Sequence, residues 1–117
     1  MATLHERFSG LFIPHVTPFV ESSALDIDSL KRLTGHFASL PGVAGLVSCA
    51  RIGESPVLSI EEKRRVYQIS GEAARQGGKV HTATIAPQST DEAVALMRDL
   101  ENMPVDGVMI FPPLLFA

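Results

Sequence analysis

Gly45-Leu46-Val47-Ser48-Cys49-Ala50-Arg51-Ile52-Gly53-Glu54-Ser55-Pro56 is the stretch on which the fold turns. An apolar run enters small residues, makes a turn, and passes through Gly-Glu-Ser-Pro. Ser59 and Glu62 then open a helix in an S-x-x-E capping box. A short apolar run bounded by turn residues suits a strand buried on both faces, as in parallel sheets. The small residues at its end let backbone N–H groups approach an anion closely, and the carboxylate of a small oxo acid suits such a nest.

The same unit recurs on both sides. Strand-like runs are expected at Gly10 to Thr17, Ala44 to Cys49, Val80 to Ala86 and Gly107 to Phe111. Three helices lie between them. Asp26 caps the first, which carries Ile27, Leu30, Leu33 and Phe37 at helical spacing. The second carries Val66, Ile69 and Ala73, and Gly77-Gly78 ends it. A second capping box, Ser89 and Glu92, precedes Ala93, Leu96, Met97 and Leu100. The order β-α-β-α-β-α-β fits either an open doubly wound sheet or half of a closed (β/α)₈ barrel, and periodicity does not choose. A barrel needs about 250 residues, so 117 residues supply roughly half of one.

Composition narrows the function. Apolar residues make up 45% of the chain, enough for a core, and the net charge is −3 with both signs interspersed. No basic block points to nucleic acid, and no apolar run approaches the ~20 residues of a membrane span. One cysteine cannot form an internal disulfide, so a cytoplasmic location is expected. His5, His15, His36, His81 and Cys49 have no metal-ligand spacing, so neither a metal nor a cofactor is expected.

Ligands of α/β folds bind at the C-terminal ends of the strands. Here those ends are Thr17-Pro18-Phe19, Ser48 to Ser55, Ala86 to Ser89 and Pro112 to Phe116. In order and spacing, Thr17-Pro18-Phe19, Asp26 to Leu33, Gly45-Leu46-Val47, Gly53-Glu54-Ser55-Pro56, Ser59 to Arg65, Ser89-Thr90-Asp91-Glu92-Ala93, Asp106-Gly107-Val108 and Phe111-Pro112-Pro113 resemble the dihydrodipicolinate synthase and N-acetylneuraminate lyase family over residues 10 to 113. The resemblance implies a TIM barrel, of which residues 1–117 form the N-terminal half. It also implies lyase chemistry on a pyruvate-type 2-oxo acid through a lysine Schiff base, and a homo-oligomeric full-length protein.

The sequence departs from the family pattern at three places. The family's hydroxyl pair in the loop after the second strand falls at Arg51 and Ile52, and its preceding glycine at Ala50. Its tyrosine pair falls at Leu114 and Leu115. Arginine has no proton to exchange near neutral pH but can pair with a carboxylate in bidentate fashion. Arg51, Ile52 and Thr17 are therefore the substrate-binding candidates, and Ala50, Gly53, Glu54 and Leu115 shape the site. Glu54 is read as holding the loop and Cys49 as a buried, inert thiol. His15 packs either inward or against the helices.

The family's Schiff-base lysine lies on a later strand. Lys31 and Lys63 are expected on helix surfaces and Lys79 at a strand start, none placed for imine chemistry, so no catalytic residue is expected in this chain. The apolar Leu114-Leu115-Phe116 ending suggests a chain cut within a larger fold, inactive alone, or a non-catalytic half-barrel that dimerises or binds a partner.

Overall fold

The computed structural model describes residues 1–113. Four strands, β1 (Leu11–Pro14), β2 (Val43–Ser48), β3 (Val80–Ile85) and β4 (Gly107–Ile110), form one parallel sheet in the order β1-β2-β3-β4. Helices α2 (Ile27–Ser39), α3 (Ile60–Gln76) and α4 (Thr90–Leu100) fill the crossovers, and a single turn, α1 (Leu4–Arg7), precedes the sheet. A doubly wound sheet reverses its strand order and carries helices on both faces. Here the order never reverses. Helices α2 and α3 pack against each other and against β2, and Leu100 of α4 joins the same core as α3 and β3. These are successive units of a barrel, and the structure decides the alternative that periodicity left open.

Except for β2, which begins and ends one residue early, the strands are shorter than their apolar runs because pairing stops before the runs do. The ladder reaches one residue past β1, where the His15 N–H donates to Val47 O, and past β4, where the Phe111 N–H donates to Ile85 O.

The helix starts follow their caps. Asp26 accepts the Ser29 N–H at 3.1 Å and its hydroxyl at 2.7 Å. The Ser29 hydroxyl, then its N–H, hold that carboxyl below its ordinary pKa. Ser59 and Glu62 exchange both bonds of a capping box. The second expected box is half made, which corrects the sequence reading. Ser89 caps the Glu92 N–H, but the Glu92 carboxylate reaches past the cap to the Gln88 N–H at 2.8 Å. A box absent from the sequence reading, Thr3 with Glu6, opens α1.

Side chains alternate across the sheet. Ile13 and Leu46 pack on Phe37, Ala38 and Ala74, while Ala83 and Ile85 pack with Leu30, Val66, Tyr67 and Ile69. Burying each large apolar side chain contributes about 1.5–3 kcal/mol. The opposite face carries Phe12, Val47, Thr82 and Met109, with the Phe8 ring stacked on Phe12 at 6.1 Å. Gly45 lies under Phe12, where a Cβ would collide with the ring and with Val80 O.

A buried polar row runs between the sheet and α3. The Ser48 hydroxyl meets His81 Nε2 at 2.7 Å, and His81 Nδ1 meets Pro104 O at 2.8 Å. A carbonyl only accepts, so Nδ1 carries the proton and Ser48 donates to Nε2. His15 repeats the arrangement, with Nδ1 on Val16 O and Nε2 on the Ser70 hydroxyl. His15 therefore faces the helices. Burial lowers the pKa of both imidazoles, that of His81 to about 4.

Candidate functional site

The loop after β2 is built as two short 3-10 turns, Arg51–Gly53 and Ser55–Val57, joined through Glu54 in the left-handed region at φ 58°. Cys49 enters the loop at φ 56°. Left-handed geometry strains an L residue, so the surroundings must hold it. The Thr17 hydroxyl donates to Gly53 O at 2.7 Å, tying the end of the first unit to the loop. A Cβ on Gly53 would stand 3.3 Å from both His15 O and Thr17 Oγ1, so only glycine fits without displacement.

From below, the buried Tyr67 hydroxyl of α3 donates to Thr84 O at 2.7 Å and lies beside the Cys49 thiol. Burial pushes that thiol up to about 12, although the Tyr67 hydroxyl and the Lys63 charge pull it back. It is therefore a packed thiol rather than a nucleophile. Burial, followed by the adjacent Cys49, raises the Tyr67 phenol as well.

Above this anchor lies a cavity of about 220 Å³ between the C-terminal ends of β2, β3 and β4. Cys49, Ala50, Arg51, Ser55, Lys63 and Gln88 line it together with Pro56, Ala86 and Phe111. Of the residues singled out in the sequence, Arg51 and Ala50 border the cavity. Gly53 is buried beneath the loop, and Glu54 is exposed on its outer side. Ile52 is 54% exposed and stands outside the lining. Thr17 is buried and anchors the loop without lining the cavity. Leu115 lies outside the described residues.

Lys63 lies half-exposed on the surface of α3, as expected, and there it also lines this cavity. The signal was present in the sequence. In a βα unit the first helical turn stands at the same end of the sheet as the strand's C-terminus, and Lys63 follows the Ser59 cap by one turn. Among the described residues no group of three or more His, Cys, Asp or Glu side chains could hold a metal ion.

The profile of the dihydrodipicolinate synthetase family matches residues 7–116. A 4-hydroxy-tetrahydrodipicolinate synthase of Endomicrobium trichonymphae is 35% identical over 106 residues, covering 91% of this chain and 35% of that protein. One from Methanospirillum hungatei is 34% identical over 109 residues, covering 91% and 36%. In three dimensions the chain is similar to the 4-hydroxy-tetrahydrodipicolinate synthase of Methylacidiphilum fumariolicum, with TM-score 0.81 and 29% identity, covering 91% of this chain and 34% of that one. It is similar as well to an N-acetylneuraminate lyase of Mycoplasma synoviae, with TM-score 0.79 and 26% identity, covering 91% and 37%. The chain thus spans about a third of the length of these relatives and matches the N-terminal part of their TIM barrel.

Proposed function

Because the chain belongs to the dihydrodipicolinate synthetase family, we propose that it forms part of a lyase or aldolase acting on a pyruvate-type 2-oxo acid. The observation that supports this reading most is the cavity bordered by the Arg51 turn, at the end of the sheet where barrel enzymes carry their chemistry. Arg51 and the neighbouring backbone amides bind the substrate carboxylate. Its guanidinium has no ion-pair or hydrogen-bond partner among the described residues, which suits a fork left free for a ligand. Thr17 and Gly53 hold the turn in place.

The chemistry that fits is an imine between a lysine and the 2-oxo group. Once protonated, the imine draws electrons from the adjacent C–C bond, so that bond can be made or broken. That lysine belongs to a later strand of the barrel, and the four strands described here contribute binding. Arg51 in place of a hydroxyl removes a proton relay from this loop. A substrate differing from that of the synthases named above follows, in either the cleaving or the condensing direction.

The test is borohydride reduction of the protein purified from its own cells, in the presence of pyruvate, followed by peptide mapping. The expected adduct falls on a lysine outside residues 1–117. An adduct on Lys31, Lys63 or Lys79, or no adduct with any 2-oxo acid, overturns this reading.

A further inference from the structure

Among the described residues one buried side-chain oxygen or nitrogen has no hydrogen-bond partner, Thr84 Oγ1. Thr84 is 1% exposed. Its own carbonyl is taken by the Tyr67 hydroxyl on the helix side. Ala83 and Ile85 pack among the helices, so alternation turns the Thr84 side chain to the opposite face. That face carries Phe12, Val47, Thr82 and Met109, and Met109 is the residue paired with Thr84 on β4. So apolar a wall offers a hydroxyl no strong partner. Other buried polar side chains of this fold are satisfied. Thr17 donates to Gly53 O and Thr34 to Leu30 O, while Ser48 and Ser70 meet His81 and His15. Protein interiors rarely leave such an atom alone, and an exception marks a place where another group belongs.

In a barrel this face is the interior, filled in layers by side chains of alternate strands. Thr84 is the last but one residue of β3, in the layer nearest the C-terminal rim, where barrel enzymes carry their chemistry. Imine formation at that rim needs a group that exchanges protons. The amine attacks the 2-oxo carbon, a proton moves from nitrogen to the new alkoxide oxygen, and a second proton lets that oxygen leave as water. Arg51 and Ile52 provide no such group in the loop after β2. The hydroxyls of Thr17, Ser48 and Tyr67 are committed to Gly53 O, His81 Nε2 and Thr84 O.

We propose that the Thr84 hydroxyl hydrogen-bonds the reacting nitrogen and relays a proton from it to the departing oxygen. Oγ1 accepts the proton from nitrogen as it passes on its own, so it ends the step as it began. Amine, 2-oxo acid and one proton from solvent go in; the protonated imine and one water come out. The inference rests on the 2-oxo-acid reading and adds a catalytic residue to it.

The test is the single-turnover rate of borohydride-trappable imine formation with pyruvate in the full-length protein, unaltered and as Thr84→Val, Thr84→Ala and Thr84→Ser. Valine keeps the shape and loses the hydroxyl, alanine loses both, and serine keeps the hydroxyl. Thr84→Val and Thr84→Ala should each slow trapping by on the order of 10²-fold, and Thr84→Ser should stay within about threefold of the unaltered rate. The half-saturating pyruvate concentration should move by less than about twofold in all three, because the carboxylate is held elsewhere. Two hydroxyl-less variants keep the test decisive if one of them folds poorly, which thermal melts reveal. A folded hydroxyl-less variant that traps at the unaltered rate overturns the relay and leaves the 2-oxo-acid reading standing. So does an equal loss in Thr84→Ser, because shape rather than the hydroxyl then sets the rate. No imine from the unaltered protein with any 2-oxo acid removes both.

Discussion

The loop that carries Arg51 depends on single atoms. One hydroxyl, Thr17 Oγ1, joins it to the end of the first unit. Thr17→Val keeps the shape and removes that donor, leaving Gly53 O without it. A loss of about 1–3 kcal/mol in stability is expected, together with faster amide exchange at Gly53 and Glu54. Unchanged exchange there would show that the turn holds itself. His81 sets a pH dependence. Its pKa falls from 6.5 to about 4 on folding, so between those values the unfolded chain binds the proton and the folded chain does not. Stability is full above about pH 6.5 and is lost as pH falls toward 4, by on the order of 3 kcal/mol. Urea midpoints at pH 7, 5.5 and 4.5 measure it, and a flat profile would contradict the buried neutral imidazole. Thr84 gives the opposite lesson. Its Oγ1 is buried with no partner among the described residues, and its alternation with Ala83 and Ile85 turns it to the face opposite the helices. Thr84→Val should therefore leave the isolated chain as stable or more so, read from the same melts, since an unsatisfied hydroxyl is removed.

At the scale of elements, α3 is the organiser. It supplies Val66, Ile69 and Ala74 to the core, Ser70 to His15, Tyr67 to Thr84 O, and Lys63 to the cavity. Gly71 lets it approach the chain before β4, where a Cβ would collide with the Pro104 carbonyl and ring. Gly71→Ala should thus destabilise despite alanine's better helix propensity. Moving Pro104 also disturbs the His81 Nδ1 bond, so a measured gain in melting temperature would refute the contact. Helix α4 is the contrast. It buries only Leu100 among its residues, with Val94 and Met97 exposed. Of the apolar stripe expected from its periodicity, Leu96 and Leu100 pack on the core shared with α3 and β3, while Met97 is exposed.

At the scale of the molecule, both edges of the sheet are short and exposed. Leu11 on β1 is 60% exposed and Ile110 on β4 is 56% exposed. Unpaired parallel edges recruit other strands. The isolated 117-residue chain should self-associate in size-exclusion chromatography, and a clean monomer would count against half a barrel. No helix among the described residues is long and apolar enough to cross a membrane.

The sequence by itself determined the four parallel units, the capped helix starts and the end of the sheet where ligands gather. These depend on local patterning, on residues that bury, cap and turn within a few positions of one another. The resemblance of ordered motifs placed the chain in a barrel before any coordinate did. Tertiary structure alone decided the rest. It turned His15 toward Ser70, set His81 against Ser48, buried Tyr67 beneath Thr84 O, and removed Thr17 and Ile52 from the cavity lining. It set Lys63 on the same cavity as Arg51, twelve residues away in the chain. Periodicity reports which residues face a core, but not which side chain of a neighbouring unit stands opposite. That depends on strand order, register and the crossover's path, which place distant positions within hydrogen-bonding distance only once the sheet has assembled.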